Sequence, residues 1–305
     1  MNYLKKNLKN LKKKMIKKKL LKNAKIIDRF LINFLKKQNF SLLVKPMKYG
    51  VISGGKKIRS TIILDAGNLY NIKKKKLLNI CAAVECIHSY SLIHDDLPCM
   101  DNDAVRRGKP ATHIKFGESS AVLAGSSLLT LAFEIIADKQ YSLNHSIKNE
   151  IIRSLASCSG HTGIAGGQEL DLKFENKKKN IDQIIDMQKK KTGKLFNFCL
   201  YAVGIVAKKK KKENFFLGKL GEEIGLLFQL TDDFLDTKGS RKLVGKPIKK
   251  DKKKGKSTLI NLMGEEKAYL FANNLKRKIL RKLQKHGKKA SELIKTIEFI
   301  LERKF

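Results

Sequence analysis

Asp95, Asp96 and Asp101 follow the apolar, helix-patterned run Cys81-Ala82-Ala83-Val84-Glu85-Cys86-Ile87-His88, and far along the chain Asp232, Asp233 and Asp236 follow a second such run, Ile224-Gly225-Leu226-Leu227-Phe228. Any fold that buries these stretches must deal with their charge, because a buried carboxylate without a partner is very costly. The chain carries only 28 Asp+Glu against 66 Lys+Arg, a formal charge of +38. Acids this scarce, clustered this tightly, are not ordinary solvated surface. Closely spaced aspartates repel unless something positive lies between them, and hard oxygen ligands suit Mg²⁺. Magnesium held by a few carboxylates completes its shell with water and substrate phosphates. The pattern therefore implies a site that binds a phosphorylated substrate through metal.

Helical geometry sharpens the second group. At 3.6 residues per turn, Asp236 lies one turn after both Asp232 and Asp233, and Gln229 falls on the face of the latter pair. In the first group, Pro98 is expected to bend or end its helix, which would turn Asp101 back toward Asp95.

At 305 residues, with only 4 Pro, many apolar stretches at helical spacing and weak strand signals, the chain reads as one all-α domain spanning residues 1–305. About ten helices or more are expected. Residues 1–25 contain no acid, and Leu4, Leu8, Leu11 and Met15 keep helical spacing. They read as a basic first helix or extension, since the serines and arginines of a transit peptide are lacking. No apolar run is read as approaching the roughly 18 residues of a membrane span, and no secretory signal is visible. A cytoplasmic protein is expected. The five cysteines (Cys81, Cys86, Cys99, Cys158, Cys199) are odd in number and lack metal-type pairing, so they read as reduced core thiols rather than zinc ligands. The lysine runs 73–76 and 208–212 fall between apolar segments, and no aromatics interleave with them as a base-stacking platform requires. Specific nucleic-acid binding is not expected, although weak, salt-sensitive adhesion to polyanions is.

Cationic groups sit in motif-like settings elsewhere. Gly54-Gly55-Lys56-Lys57-Ile58-Arg59 allows a close turn that feeds Lys56 and Arg59 into a helix start, where free N–H groups favour an anion. Arg106 and Arg107 can serve two different anions through their donor forks. Gly166-Gly167-Gln168-Glu169-Leu170-Asp171 suggests close helix packing, and Lys191-Thr192-Gly193 places an ammonium beside a hydroxyl. Gly245-Lys246 and Gly255-Lys256-Ser257-Thr258 follow the second acidic group, with Asp251 between them. A P-loop is excluded, because Lys250 stands where its upstream glycine belongs.

Together these residues resemble the trans-isoprenyl diphosphate synthases, from about Tyr49 to Thr258. The run Val84 to Pro98 is very like that of bacterial short-chain farnesyl diphosphate synthases. The resemblance implies the isoprenoid synthase fold, a polyprenyl synthase bundle around a central cavity, usually as a homodimer. It implies that Asp95, Asp96 and Asp101 bind two Mg²⁺ on the allylic diphosphate. Asp232 would bind a third, assisted by Asp233 and Asp236. Arg106, Lys191, Lys256 and Lys246 would hold the allylic diphosphate (dimethylallyl or geranyl), and Lys56, Arg59, His88 and Arg107 would hold isopentenyl diphosphate. Thr192 and Gln229 would line the cation path and, with Lys191, make up the catalytic set. The terminal Glu302-Arg303-Lys304-Phe305 resembles a tail that closes over the site.

On this reading the metal ions and cations neutralise pyrophosphate as it leaves. The isopentenyl double bond attacks the allylic cation, and a proton is then lost. Tyr90, five residues before Asp95, would form the cavity floor and stop growth at fifteen carbons. Geranyl or geranylgeranyl diphosphate synthesis is the alternative activity. A non-catalytic subunit or polyanion-binding protein is the alternative of another class. A terpene cyclase fits less well, since its second metal motif mixes Asn, Ser and Glu. Three positions depart from the family pattern: Ser60 for a proline, polar Thr231 before Asp232, and Leu259-Ile260 where a proline is expected.

Overall fold

Apolar residues at helical spacing dominate the chain, and its computed structural model, which describes residues 2–38, 41–52, 54–238 and 258–301, is accordingly all-α. Fourteen α-helices lie among the described residues: α1 Asn2–Lys36, α2 Val44–Ile52, α3 Ile58–Gly67, α4 Leu78–Asp95, α5 Thr112–Phe116, α6 Glu118–Ala137, α7 His145–Ser159, α8 Ile164–Phe174, α9 Ile181–Gln188, α10 Lys194–Val206, α11 Lys211–Lys238, α12 Leu259–Met263, α13 Glu265–Gln284 and α14 Ser291–Leu301. One small antiparallel ribbon, β1 Val105–Arg106 with β2 Lys109–Pro110, follows α4.

Helix α4 is the central strut. Every residue from Asn79 to Ile87 is buried, on all sides of the helix, as in a helix surrounded by other helices. It packs on α6, α3 and α1, while α10 packs along α11. The ends of α4 and α11 carry the two aspartate groups.

The stripe of α1 that faces the core is Ile16, Leu20, Ala24, Ile27, Leu31 and Leu35. This corrects the sequence reading, because Leu11 and Met15 are 57% and 70% exposed. The packed stripe runs along a different face of the helix, and the side chains of Leu4 and Leu8 lie outside the described residues. Lys19 anchors this helix by donating to Asp65 of α3 (2.9 Å) and to Glu292 of α14 (3.0 Å), while Thr296 Oγ1 donates to the same Asp65 oxygen (2.6 Å). Burial pushes the Asp65 carboxyl up, and Lys19 opposes that shift. Asp65→Ala leaves Lys19 and Thr296 without their shared acceptor and is expected to lower unfolding free energy by about 2 kcal/mol. Urea denaturation measures this, and an unchanged midpoint would contradict the clamp.

Two further expectations change. Helix α6 has 20 residues and a mean hydropathy of 1.7, long and apolar enough to cross a membrane, contrary to the reading that no run approaches that length. In the fold its inner face (Ala121, Ala124, Leu128, Leu131, Ala132, Ile135) is packed in the core, which explains the composition without a bilayer. Of the cysteines, Cys81, Cys86, Cys158 and Cys199 are buried, but Cys99 is exposed because it sits in the turn after α4 and not on a helix.

Candidate active site

Pro98 ends α4, and the chain folds back on itself. The Asp101 amide donates to the Asp95 carbonyl (2.8 Å) and the Asp103 amide to the Asp96 carbonyl (3.1 Å). Asp101 is thereby returned to Asp95. The Asp95 carboxyl is pushed up to about 6, chiefly by burial and further by the charges of Asp101 and Asp96, while Lys191 and Arg106 pull it down. Asp96, 2% exposed, is gripped by Arg106, whose Nε donates to both carboxylate oxygens (2.9 and 3.1 Å). Asp103, a residue the sequence did not single out, stands 3.8 Å from the same guanidinium.

The adjacent arginines part company at the ribbon. Arg107 (φ 55°) and Gly108 (φ 74°) form its two-residue turn, and positive φ at both central positions matches the right-handed twist of the flanking strands. Arg106 reaches the aspartates while Arg107 donates to the Gly54 carbonyl. Gly55 holds φ 119°, a backbone conformation that favours glycine, and a Cβ there would stand 2.8 Å from the Arg107 guanidinium carbon, which would have to shift aside.

Beyond that glycine pair, cations gather around the start of α3. Arg59 lies over the rings of Phe196 (4.8 Å) and Phe228 (5.6 Å). Burial lowers its pKa, with Glu85 and then Asp232 among the charges opposing this. His88 is held well below its ordinary value by burial and by the charges of Arg59, Arg107, Lys57 and Arg106, so it is neutral at neutral pH. Lys56 is exposed. Its neighbour Lys57 turns inward from a left-handed backbone (φ 44°) and donates to the Val51 carbonyl (2.6 Å), with Asp28 at 3.3 Å and Glu85 at 3.8 Å. Neither Lys57 nor Glu85 was assigned a role from sequence. The available signal was a lone acid, Glu85, within the apolar run Cys81 to Ile87.

A π-helical turn, Lys189–Gly193, joins α9 to α10. Such turns re-aim side chains and are frequent at functional sites. Lys191 pairs with Asp171 of α8 (2.6 Å), and its charge also acts on Asp95. Thr192 donates to Gln229 (2.9 Å), Gln229 to Asp233 (2.8 Å), and Gln188 to the other oxygen of Asp233 (3.1 Å). The turn is therefore tied through Gln229 to Asp233, while the Lys191 charge acts on Asp95. It can come this close because α8 presents Gly167, where a Cβ would lie 2.1 Å from the Lys191 amide nitrogen. Asp171 was quoted in the sequence only as part of a packing motif. Gln188 carried no signal beyond standing one turn before Lys191 and Thr192.

The departures from the family pattern have local explanations. Thr231, fully buried, donates to the Leu227 carbonyl of its own helix (2.8 Å). Thr258 caps α12 by accepting from the Asn261 amide (3.2 Å), which puts Leu259 at the first helical position, where proline is also tolerated. Lys246, Lys256 and the 302–305 tail lie outside the described residues.

Whether magnesium fits can be judged from the donors. Among the described residues, no three His, Cys, Asp or Glu side chains close on a single point, so these residues form no all-protein cage. Mg²⁺ held by one or two carboxylates, with water and phosphate oxygens completing an octahedron, matches this donor set. Burial and, after it, the charges of Asp101 and Asp96 raise Asp95, and such an ion would offset both.

Comparison with known proteins bears on the same residues. The family profile described as Polyprenyl synthetase matches residues 40–299. The farnesyl diphosphate synthase of Escherichia coli (strain K12) is 39% identical over 266 residues, 86% of this chain and 89% of the relative. Among solved structures, an FPP/GFPP synthase from Zymomonas mobilis aligns with a TM-score of 0.85 at 35% identity, covering 95% of this chain and 99% of that one. A geranyltransferase from Helicobacter pylori, complexed with magnesium and isoprenyl diphosphate, aligns with a TM-score of 0.78 at 32% identity, covering 92% of this chain and 96% of that one.

Proposed function

The chain belongs to the polyprenyl synthetase family, and on that premise we propose that it condenses dimethylallyl, then geranyl, diphosphate with isopentenyl diphosphate to give farnesyl diphosphate and pyrophosphate. The observation that carries this reading is the π turn. It sets Lys191 beside Asp171, with its charge on Asp95, and links Thr192 through Gln229 to Asp233, which supports a site shared by the two acidic groups.

Asp95, Asp96 and Asp101 would hold magnesium for the allylic diphosphate, and Asp232, with Asp233 and Asp236, would hold a further ion, about three in all. Magnesium supplies charge neutralisation for the leaving group. Arg106 and Lys191, with Lys246 and Lys256, bind the same diphosphate. Isopentenyl diphosphate sits against Lys56, Arg59, Arg107 and neutral His88. The allylic carbon–oxygen bond breaks and its electron pair leaves on pyrophosphate. The isopentenyl double bond then forms the new carbon–carbon bond, and the proton shed goes to the departing pyrophosphate. The Thr192 hydroxyl and the Gln229 amide, fixed by their mutual hydrogen bond, face the developing cation with oxygen dipoles.

Tyr90 supports a fifteen-carbon product. It is 8% exposed, its hydroxyl donates to the Ser159 carbonyl of α7 (3.2 Å), and its ring meets His94 edge-on at 5.8 Å. Burial raises the phenol to about 12, so it remains a donor at working pH. A ring pinned at both ends is a firm floor. Tyr90→Ala is expected to shift the main product to twenty carbons or more, read by chromatography of dephosphorylated products, and an unchanged product would refute the floor.

The decisive experiment incubates the purified protein with dimethylallyl and isopentenyl diphosphates and Mg²⁺. A fifteen-carbon product is expected, with loss of turnover when the metal is chelated. A ten- or twenty-carbon product would establish the alternative activity, and absence of pyrophosphate release would establish a non-catalytic role. Ile114, Val122 and Leu123 on α5 and α6 are 56%, 42% and 52% exposed. A second copy covering this face would make the homodimer that the family resemblance implies.

A further inference from the structure

We propose that Glu85, oriented by Ser60, is a positioning residue that holds the cations of the isopentenyl diphosphate subsite in their binding arrangement. The proposal rests on the functional reading above, which assigns that subsite to Lys56, Arg59, His88 and Arg107.

Glu85 is 3% exposed in the middle of α4, one helical turn before His88. Its Oε1 accepts from the Ser60 hydroxyl at 2.7 Å and from the Ser60 amide at 3.4 Å. Its Oε2 is left toward Lys57 Nζ at 3.8 Å. The two carboxylate oxygens therefore have different duties, and Ser60 decides which is which. The Ser60 hydroxyl also lies 3.3 Å from the Cys81 carbonyl, one turn earlier on α4, so α3 is keyed to α4 at this point.

Four cations, Arg59, Arg107, Lys57 and Arg106, all act on His88. Like charges so crowded splay apart unless an anion is fixed among them. Glu85 is the strongest charge opposing the burial of both Arg59 and Arg107, so its field bears on the two guanidinium groups expected to meet the diphosphate. Lys57 transmits the same constraint to the loop. Held by Glu85, Asp28 and the Val51 carbonyl, it points inward, and the chain next to it presents Lys56 at the surface. Binding by an arrangement set in advance loses less free energy to ordering. Position 60 is where the family pattern has proline, which has neither a hydroxyl nor an amide hydrogen to orient this carboxylate. Serine there makes the alignment of Glu85 a property of this chain's own sequence.

The test measures steady-state kinetics and isopentenyl diphosphate binding by calorimetry for Glu85→Gln and Ser60→Ala. With geranyl diphosphate saturating, Glu85→Gln is expected to raise KM for isopentenyl diphosphate about 30-fold while KM for geranyl diphosphate stays within about twofold. Ser60→Ala, which keeps the amide contact and changes little volume, is expected to raise the same KM about fivefold. Equal isopentenyl diphosphate affinity in wild type and a folded variant overturns the proposal, even if melting temperatures fall, since that is a structural role only. Should Glu85→Gln fail to fold, Ser60→Ala decides alone. If the wild type binds isopentenyl diphosphate but forms no product, the functional reading fails, and the calorimetric comparison still judges the positioning role.

Discussion

Asp95→Ala is expected to reduce kcat/KM by about a thousandfold or more while leaving the metal-free protein no less stable, an unusual pairing for a residue so enclosed. Its carboxyl is pushed up to about 6 by burial and by the neighbouring Asp101 and Asp96. A carboxyl raised in this way is one whose charge the fold disfavours. Above pH 6 the ionised side chain opposes folding in full, and this opposition shrinks as pH falls from about 6 toward 3.8, below which both folded and unfolded chains hold the proton. Deleting it therefore removes a strain present at pH 8, and unfolding free energy is expected to stay level or rise by up to about 2 kcal/mol. On the proposed function, the same deletion would also remove a ligand oxygen for the metal that neutralises the leaving diphosphate. Pyrophosphate release and thermal denaturation at pH 8, measured on the same preparation, check both halves. Activity that survives the change would remove Asp95 from the metal site. A large fall in stability would mean that its role is structural.

Gly167→Ala is expected to act almost as strongly, by a route that involves no charge. The added methyl would lie 2.1 Å from the Lys191 nitrogen and 2.5 Å from its Cα, both backbone atoms of the π turn. Backbone cannot yield as a flexible side chain does, so α8 and the turn must separate. A core overpacked by one methylene-sized group typically loses about 1–3 kcal/mol. The larger consequence is for chemistry. Lys191 would leave Asp171, and Thr192 would leave Gln229, so a shift on the order of 1 Å at groups that orient the reaction would lower kcat about a hundredfold. KM for isopentenyl diphosphate, whose proposed contacts Lys56, Arg59, His88 and Arg107 are not part of the π turn, is expected to change little. Kinetics with each substrate varied in turn would show the split, and wild-type kcat in Gly167→Ala would show that the close approach is dispensable.

Much of this site could be read before folding was considered, because its parts are local. Helical spacing alone puts Gln229 on the face of Asp233, and the structure has that hydrogen bond at 2.8 Å. Pro98 alone predicts the turn that returns Asp101 to Asp95. The glycine pair before Lys56 and the adjacent arginines likewise mark where a backbone can approach and where anions can be met.

The sequence by itself determined the helical class, the two aspartate groups and the cation motifs, since each depends on residues within a turn or two of one another. Only the tertiary structure decided which face of α1 is buried, that Arg106 grips Asp96, that Lys57 points inward to Asp28 and Glu85, and that an apolar α6 packs against α4. Those choices join residues distant in the chain. They are settled by which helices can approach closely and which buried charges find partners there, and no local periodicity carries that information.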